Sequence, residues 1–259
     1  MIHELVWLNP WLFAIALNTV LISLGVIAAK RLLTSAGWVH AWILGVLIWG
    51  CLGWRGYVIV VFYFLVGSGV TRIGKAEKEA AGIAEKRGGA RGPENVWGSA
   101  FTGMLCGLGV FFLQNFFPNQ LEIQSWIPLL LLGYVASFST KLSDTCASEI
   151  GKAYGKSTFL ITTLKPVPRG TEGAVSLEGT LAGVVASILV SILGWSIGLI
   201  HPWGMLWSVI AALIATNLES VIGATLQTKF TGLTNEIVNF INTFIGAIAA
   251  IILAFLFPF

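Results

Sequence analysis

Apolar residues run through this chain in long, nearly unbroken blocks separated by short polar stretches. The blocks fall at roughly residues 5–29, 37–53, 56–70, 98–117, 126–142, 174–200, 204–224 and 237–257. A helix needs about 20 apolar residues to cross the hydrocarbon of a bilayer. Backbone in lipid must also satisfy its own polar groups, so blocks of this kind predict membrane-spanning helices. The second and third blocks are short, and the division between them rests on Gly53 and Gly56. The expected fold class is all-α: a polytopic membrane helix bundle of about eight transmembrane helices, with residues 1–259 forming one integral-membrane domain.

Composition agrees with the pattern. The chain is 56% hydrophobic and 10% charged, with a mean hydropathy of +0.85, whereas a soluble domain carries about 25% charge. A net charge of +3 gives no basic surface for nucleic acid. The placement of charge says more. With eight spans, fourteen of the fifteen Lys and Arg fall in or beside the odd-numbered loops, and only Arg55 lies opposite. The positive-inside rule then makes those loops cytoplasmic and puts both termini outside. Merging the second and third spans would put Lys30 and Arg31 on the wrong side. The N-terminus has neither a basic n-region nor a small-residue cleavage site, so the first block is expected to be a retained span. Cys51, Cys106 and Cys146 are far apart and fit neither a zinc site nor a disulfide framework. His3, His40 and His201 lie near segment ends.

One stretch departs from the pattern. Ser143 to Thr180 carries Asp144, Glu149, Lys152, Lys156, Lys165, Arg169, Glu172 and Glu178 with two prolines and several glycines. Charge at membrane depth costs several kcal/mol unless it is paired or used. If the fifth helix continues, Asp144 and Ser148 form one i, i+4 row and Thr145 and Glu149 the next. Acidic groups here suit magnesium, which takes one or two carboxylates plus phosphate oxygens and water. Asp144, Glu149 and Glu178 are the candidate ligands; ion pairs with Lys141 or Lys152 are the alternative.

Gly151–Ser157 looks like a P-loop, but Ile150 stands where G-x-x-x-x-G-K-[ST] needs glycine, and a membrane helix precedes it rather than a strand. Lys156 and the glycines can still cradle an anion without that fold. Lys165-Pro166-Val167-Pro168-Arg169-Gly170-Thr171 cannot be helical and presents two cations on a stiff loop. Ser176 is a candidate N-cap that would bring a helix N-terminus, with Gly179, to the same place.

Three other segments add candidates. The loop from Thr71 to Asn95 reads as a solvated face from Lys75 to Arg87, whereas Arg91 and Asn95 sit where the chain re-enters the membrane, within reach of a phosphate. The seventh span carries Asn217, Glu219 and Ser220, and Asn235, Asn239 and Asn242 share one face of the eighth. The small residues that open the fourth and sixth spans, from Gly98 and Gly179, predict close helix packing.

The pieces SDTCASEIGKAYGK, TTLKPVPRGTEGAVSLEGTLAG, NLESVIGATLQ and GLTNEIVNFINTFIGA, with RGPENVWGSA, resemble a family of integral-membrane prenyl-phosphate kinases that includes the phytyl-phosphate kinase of plants and cyanobacteria. That family was long known only as a domain of unknown function. The resemblance covers most of the chain from about residue 70. A more distant similarity is to the dolichol and phytol kinases, which have an Asp-containing helix followed by Lys-(Ser/Thr)-Leu-Glu-Gly-(Ser/Thr). Here Val175 replaces that lysine ahead of Ser176-Leu177-Glu178-Gly179-Thr180, which leaves its role to Lys165 or Arg169. The resemblance implies magnesium-dependent phosphorylation of a prenyl monophosphate to its diphosphate, with CTP or another nucleoside triphosphate as donor. The expected location is a bacterial, cyanobacterial membrane, plasma or thylakoid.

Asp144, Lys165 and Arg169 are then expected to carry catalysis. Arg91, Asn95, Lys141, Ser148, Lys156, Thr171, Ser176, Gly179, Glu219, Asn235 and Asn239 are expected to bind nucleotide or lipid phosphate. The rival readings are a polyprenol or phytol kinase, a cytidylyltransferase forming a CDP-lipid, and an anion transporter.

Overall fold

The computed structural model describes residues 9–28, 32–227, 229–230 and 232–257. The helices are α1 (Pro10–Ala28), α2 (Ser35–Val70), α3 (Lys75–Ala80), α4 (Pro93–Phe116), α5 (Leu121–Gln124), α6 (Ile127–Tyr154), α7 (Leu177–Ser196), α8 (Pro202–Ile222) and α9 (Asn235–Leu256). A π-helical turn, Gly223–Gln227, extends α8, and two short strands, β1 (Thr158–Leu160) and β2 (Ala174–Ser176), pair antiparallel. Among the described residues seven helices are long and apolar enough to cross a membrane.

The difference between seven and the expected eight lies in α2. Its 36 residues would rise about 54 Å if straight, nearly twice the hydrocarbon thickness of about 30 Å. It is not straight. Gly53 has φ 63° and ψ −158°, a conformation that only glycine adopts readily. The rings of Trp49 and Tyr57 lie 5.3 Å apart, although eight residues of helix would separate their backbones by about 12 Å. The element therefore folds back into a hairpin with arms at 35–52 and 54–70, dividing where the two short apolar blocks meet.

With the hairpin counted as two arms, successive helices alternate in direction. One end of the bundle gathers residues 32–34, 71–92, 155–176, 223–227, 229–230 and 232–234. There the Thr34 N–H donates to the Arg91 carbonyl and the Arg91 N–H to the Leu32 carbonyl, each at 3.0 Å. The other end holds Gly53, with Arg55 beside Gly198.

Helix α6 is the axis of the fold. Leu132 through Asp144 are buried without interruption, so this helix is enclosed on every face. The hairpin and helices α4, α7, α8 and α9 pack around it. Apolar burial gives little drive inside lipid, so close contact and interhelical hydrogen bonds hold such a bundle. A Cβ on Gly179 of α7 would lie 2.5 Å from the Ala147 carbonyl, and one on Gly183 2.9 Å from Ser143 Oγ. The small-residue start of α7 is thus what lets it touch α6. Gly98 of α4 does the same against the Glu236 backbone of α9. Ser191–Ser208 at 3.0 Å and Thr102–Thr243 at 2.9 Å add hydrogen bonds between helices. Thr34, Ser176 and Thr234 cap α2, α7 and α9 through their side chains.

Candidate active site

A cavity of about 730 Å³ opens at the loop end of the bundle. A buried polar part of its wall comes from α6, which continues past its apolar block to Tyr154 and so forms the two polar rows expected of it. Lys141 Nζ donates to Asp144 Oδ2 at 2.6 Å and to Asn239 Oδ1 of α9 at 2.8 Å. Both members of the ion pair are more than nine-tenths buried. Either charge alone would be costly here, and each makes the other tolerable. Ser148 follows Asp144 on the same row of the wall. Glu219 of α8 lines the cavity within electrostatic reach of Asp144 and Lys141, and it makes no ion pair among the described residues.

Glu149, on the neighbouring row, is already used. It pairs with Lys78 of α3, which is 2% exposed and also donates to the Thr71 carbonyl at 2.9 Å. Lys152 lies 3.7 Å from Glu149 and 3.2 Å from Glu85. These four charges fasten the segment 71–85 onto α6. The solvated face expected from Lys75 to Arg87 is therefore wrong at Lys78, which turns inward as the counter-ion that a buried Glu149 requires. Burial pushes the half-exposed Glu85 carboxyl up, but the charge of Lys152 and its hydrogen bond outweigh this and hold it below the ordinary carboxylate range.

Arg91 and Asn95 stand at the mouth. The Arg91 guanidinium lies 5.4 Å from the Tyr63 ring centroid and 5.7 Å from that of Phe64, with Nη1 donating to the Tyr63 hydroxyl at 3.3 Å. Asn95 Oδ1 accepts from the Gly92 N–H at 3.0 Å at the start of α4, and its Nδ2 donates to Glu236 at 3.2 Å. Asn235 and Asn239 share the α9 wall. Asn242, next on that face, is fully buried below them. Asn235 accepts from Gln227, and Asn217 bonds back to its own helix at Leu213.

The loop between α6 and α7 divides the remaining candidates. Thr171, Ser176 and Gly179 line the cavity, and Ser176 Oγ accepts from the Gly179 N–H at 3.1 Å. Lys156, Lys165, Arg169 and Glu178 are not on its wall. The Val167 N–H donates to the Thr158 carbonyl and the Leu160 N–H to the Lys165 carbonyl, each at 3.0 Å, which folds the proline segment back along β1. Lys165 is left exposed. Arg169 Nη1 donates to the Ala153 carbonyl at 2.9 Å, closing the last turn of α6. Glu178 accepts from the Lys156 N–H at 3.3 Å. Of the residues expected to carry catalysis or metal, Arg169, Glu149 and Glu178 thus have structural partners of their own, and Lys165 stands exposed off the cavity wall. Lys152, Glu172, Tyr63, Ser99 and Glu236, which are not among the expected site residues, also line the cavity. No group of three or more His, Cys, Asp or Glu converges among the described residues.

Fold and site together define a polytopic helical membrane protein with a charged cavity at the loop end of the bundle. The chain belongs to the family described as "Integral membrane protein DUF92", whose model matches residues 18–247. It is 64% identical over 93% of its length to the "Uncharacterized membrane protein sll0875" of Synechocystis sp., covering 90% of that protein. It is 44% identical over 94% of its length to "Protein VTE6, chloroplastic" of Arabidopsis thaliana, covering 72% of it. An archaeal relative, the "Uncharacterized membrane protein MJ0933" of Methanocaldococcus jannaschii, is 30% identical, with 88% of each chain covered. No solved structure matches.

Proposed function

We propose that this protein is a prenyl-phosphate kinase that converts phytyl monophosphate to phytyl diphosphate, with CTP favoured as donor. The observation that carries the reading is the convergence of Asp144 and Glu219 with Lys141, Lys152 and Arg91 on one membrane-embedded cavity. The motif resemblance to the phytyl-phosphate kinase family and the 44% identity to Protein VTE6 support it. By the positive-inside rule the cavity faces the cytoplasm.

In this reading a non-bridging oxygen of the prenyl phosphate attacks the γ-phosphorus. The bond from that phosphorus to the β–γ bridging oxygen breaks, and the nucleoside diphosphate leaves. A phosphate monoester has its second pKa near about 6, so the acceptor is mostly dianionic and needs no general base. The obstacle is repulsion between two anions, and catalysis is positioning and charge stabilisation. Arg91 at the mouth meets the lipid phosphate. Lys141 holds Asp144 in place and Lys152 adds positive potential to the wall. The N-terminus of α7, capped by Ser176, offers backbone N–H groups to an anion.

The donor set suits magnesium: Asp144 and Glu219 give two carboxylates on one cavity, and phosphate oxygens and water would complete the shell. When bound, the ion supplies neutralisation of the transferring phosphate.

Incubating purified protein with phytyl monophosphate and each nucleoside triphosphate, with phytol as a control acceptor, tests the reading. Release of nucleoside diphosphate with phytyl diphosphate is expected. Pyrophosphate release would make it a cytidylyltransferase, and phytyl monophosphate formed from phytol an alcohol kinase.

A further inference from the structure

A smaller cleft of about 120 Å³ adjoins the charged cavity. Trp38, Leu44, Val60 and Phe64 of the hairpin arms and Val96 of α4 form its walls. Tyr63, Arg91, Asn95 and Ser99 border both spaces, so the Arg91 guanidinium, stacked on Tyr63 and Phe64, stands at the junction between them. The far end reaches Asn18 of α1, whose Oδ1 accepts from the Tyr57 hydroxyl at 2.9 Å. Asn18 and Ile22 give the outer wall, and their neighbours Leu21 and Leu24 are exposed where lipid would lie.

We infer that this cleft holds the segment of the prenyl chain next to the phosphate, with the phosphate itself beside Arg91; the inference rests on the prenyl-phosphate reading of the main cavity. An amphiphile with an anionic head needs an apolar and a cationic compartment that meet at one point, and Arg91 is that point. From Phe64 to Tyr57 the hairpin arm rises about 10 Å. One leaflet of hydrocarbon is about 15 Å. The cleft therefore grips the head-proximal part of a long chain, and the remainder passes beside α1 into the bilayer. Recognition reads the first part of the chain and is insensitive to its full length.

The test uses the full-length protein in nanodiscs, without nucleotide. The probe is a prenyl monophosphate carrying a diazirine in its second isoprene unit. After irradiation, peptide mapping is expected to find the label on the hairpin arms, α1 and α4. Excess unlabelled phytyl monophosphate should lower it at least about tenfold, and so should Ala41→Phe, since Ala41 lines the cleft and a phenyl ring there would fill it. Competable label on α7 or α8 instead would overturn the cleft assignment while leaving prenyl-phosphate binding intact. Label in the cleft that phytyl monophosphate does not reduce would assign the cleft to bulk lipid and overturn the inference. In turnover, farnesyl and geranylgeranyl monophosphate should differ less than about threefold in KM; a tenfold preference would count against a short grip. The wild-type map decides the matter even if Ala41→Phe does not fold.

Discussion

Lys141 and Asp144 hold each other at 2.6 Å, one turn apart on the helix that the rest of the bundle encloses. Asn239 Oδ1 accepts a second hydrogen bond from the same ammonium group at 2.8 Å, which ties α9 to the pair. Asp144 is thereby fixed in position, with its buried carboxylate paired to the ammonium group. A carboxylate fixed in this way is what the proposed metal-assisted transfer would require.

Replacing Asp144 by Asn keeps shape and removes charge. Turnover should fall about a thousandfold, the scale seen when one charge-stabilising group is lost, while the protein still purifies as a folded monodisperse species. A steady-state assay and size exclusion check both halves.

Glu219 and Glu178 separate two views of the metal. Glu219→Gln should raise the magnesium concentration for half-maximal activity by roughly tenfold or more, because even groups outside the ligand shell typically cost 10- to 100-fold in metal affinity. Glu178→Gln, whose amide oxygen can still accept from the Lys156 N–H, should leave that concentration unchanged. A magnesium titration of both variants reads the difference.

Two arginines, Arg91 at the cavity mouth and Arg169 off its wall, should differ in effect. Arg91→Ala should weaken capture of the lipid phosphate by roughly 10- to 100-fold in kcat/KM, since a hydrogen bond to a charged group contributes about 1.5–3 kcal/mol. Arg169→Ala should cost less than about tenfold, because its observed partner is the Ala153 carbonyl. Kinetics with varied prenyl phosphate distinguish them.

The Lys78–Glu149 pair is a matter of stability. Removing one partner of a buried ion pair costs about 3–5 kcal/mol, whereas replacing both by apolar residues is often neutral. Lys78→Met should therefore lower the melting temperature sharply, and the double variant Lys78→Met/Glu149→Leu should recover most of it. Thermal unfolding in detergent measures this.

Glu85 gives a pH dependence. Its carboxyl is held below its ordinary value in the fold, so its contribution is present above the unfolded pKa and is lost as pH falls through the folded one. Wild type should exceed Glu85→Gln in stability at neutral pH, by less than about 1 kcal/mol for so exposed a pair. The two should converge in acid. Unfolding curves at several pH values test the sign.

Hydropathy was enough to read the bundle, and charge placement found the hairpin at Gly53, because both follow from solvation of single segments. The N-cap at Ser176 and the inward face of α9 were legible for the same reason: each is local. Lys78 was not, since its partner lies 71 residues away and a short Lys- and Glu-rich helix looks solvated by pattern alone. Lys165 and Arg169 showed which charges the proline loop carries but not which way they turn. That direction is set by the pairing of Lys165 and Val167 with β1, which the proline segment does not encode by itself.

The most direct test follows the transferred group. Wild-type protein, magnesium, unlabelled phytyl monophosphate and CTP labelled with ³²P at the γ position should give phytyl diphosphate labelled in its terminal phosphate, and Asp144→Asn should give about a thousandfold less. Label that never reaches the prenyl product, or that reaches it equally in Asp144→Asn, would contradict a kinase built on this cavity.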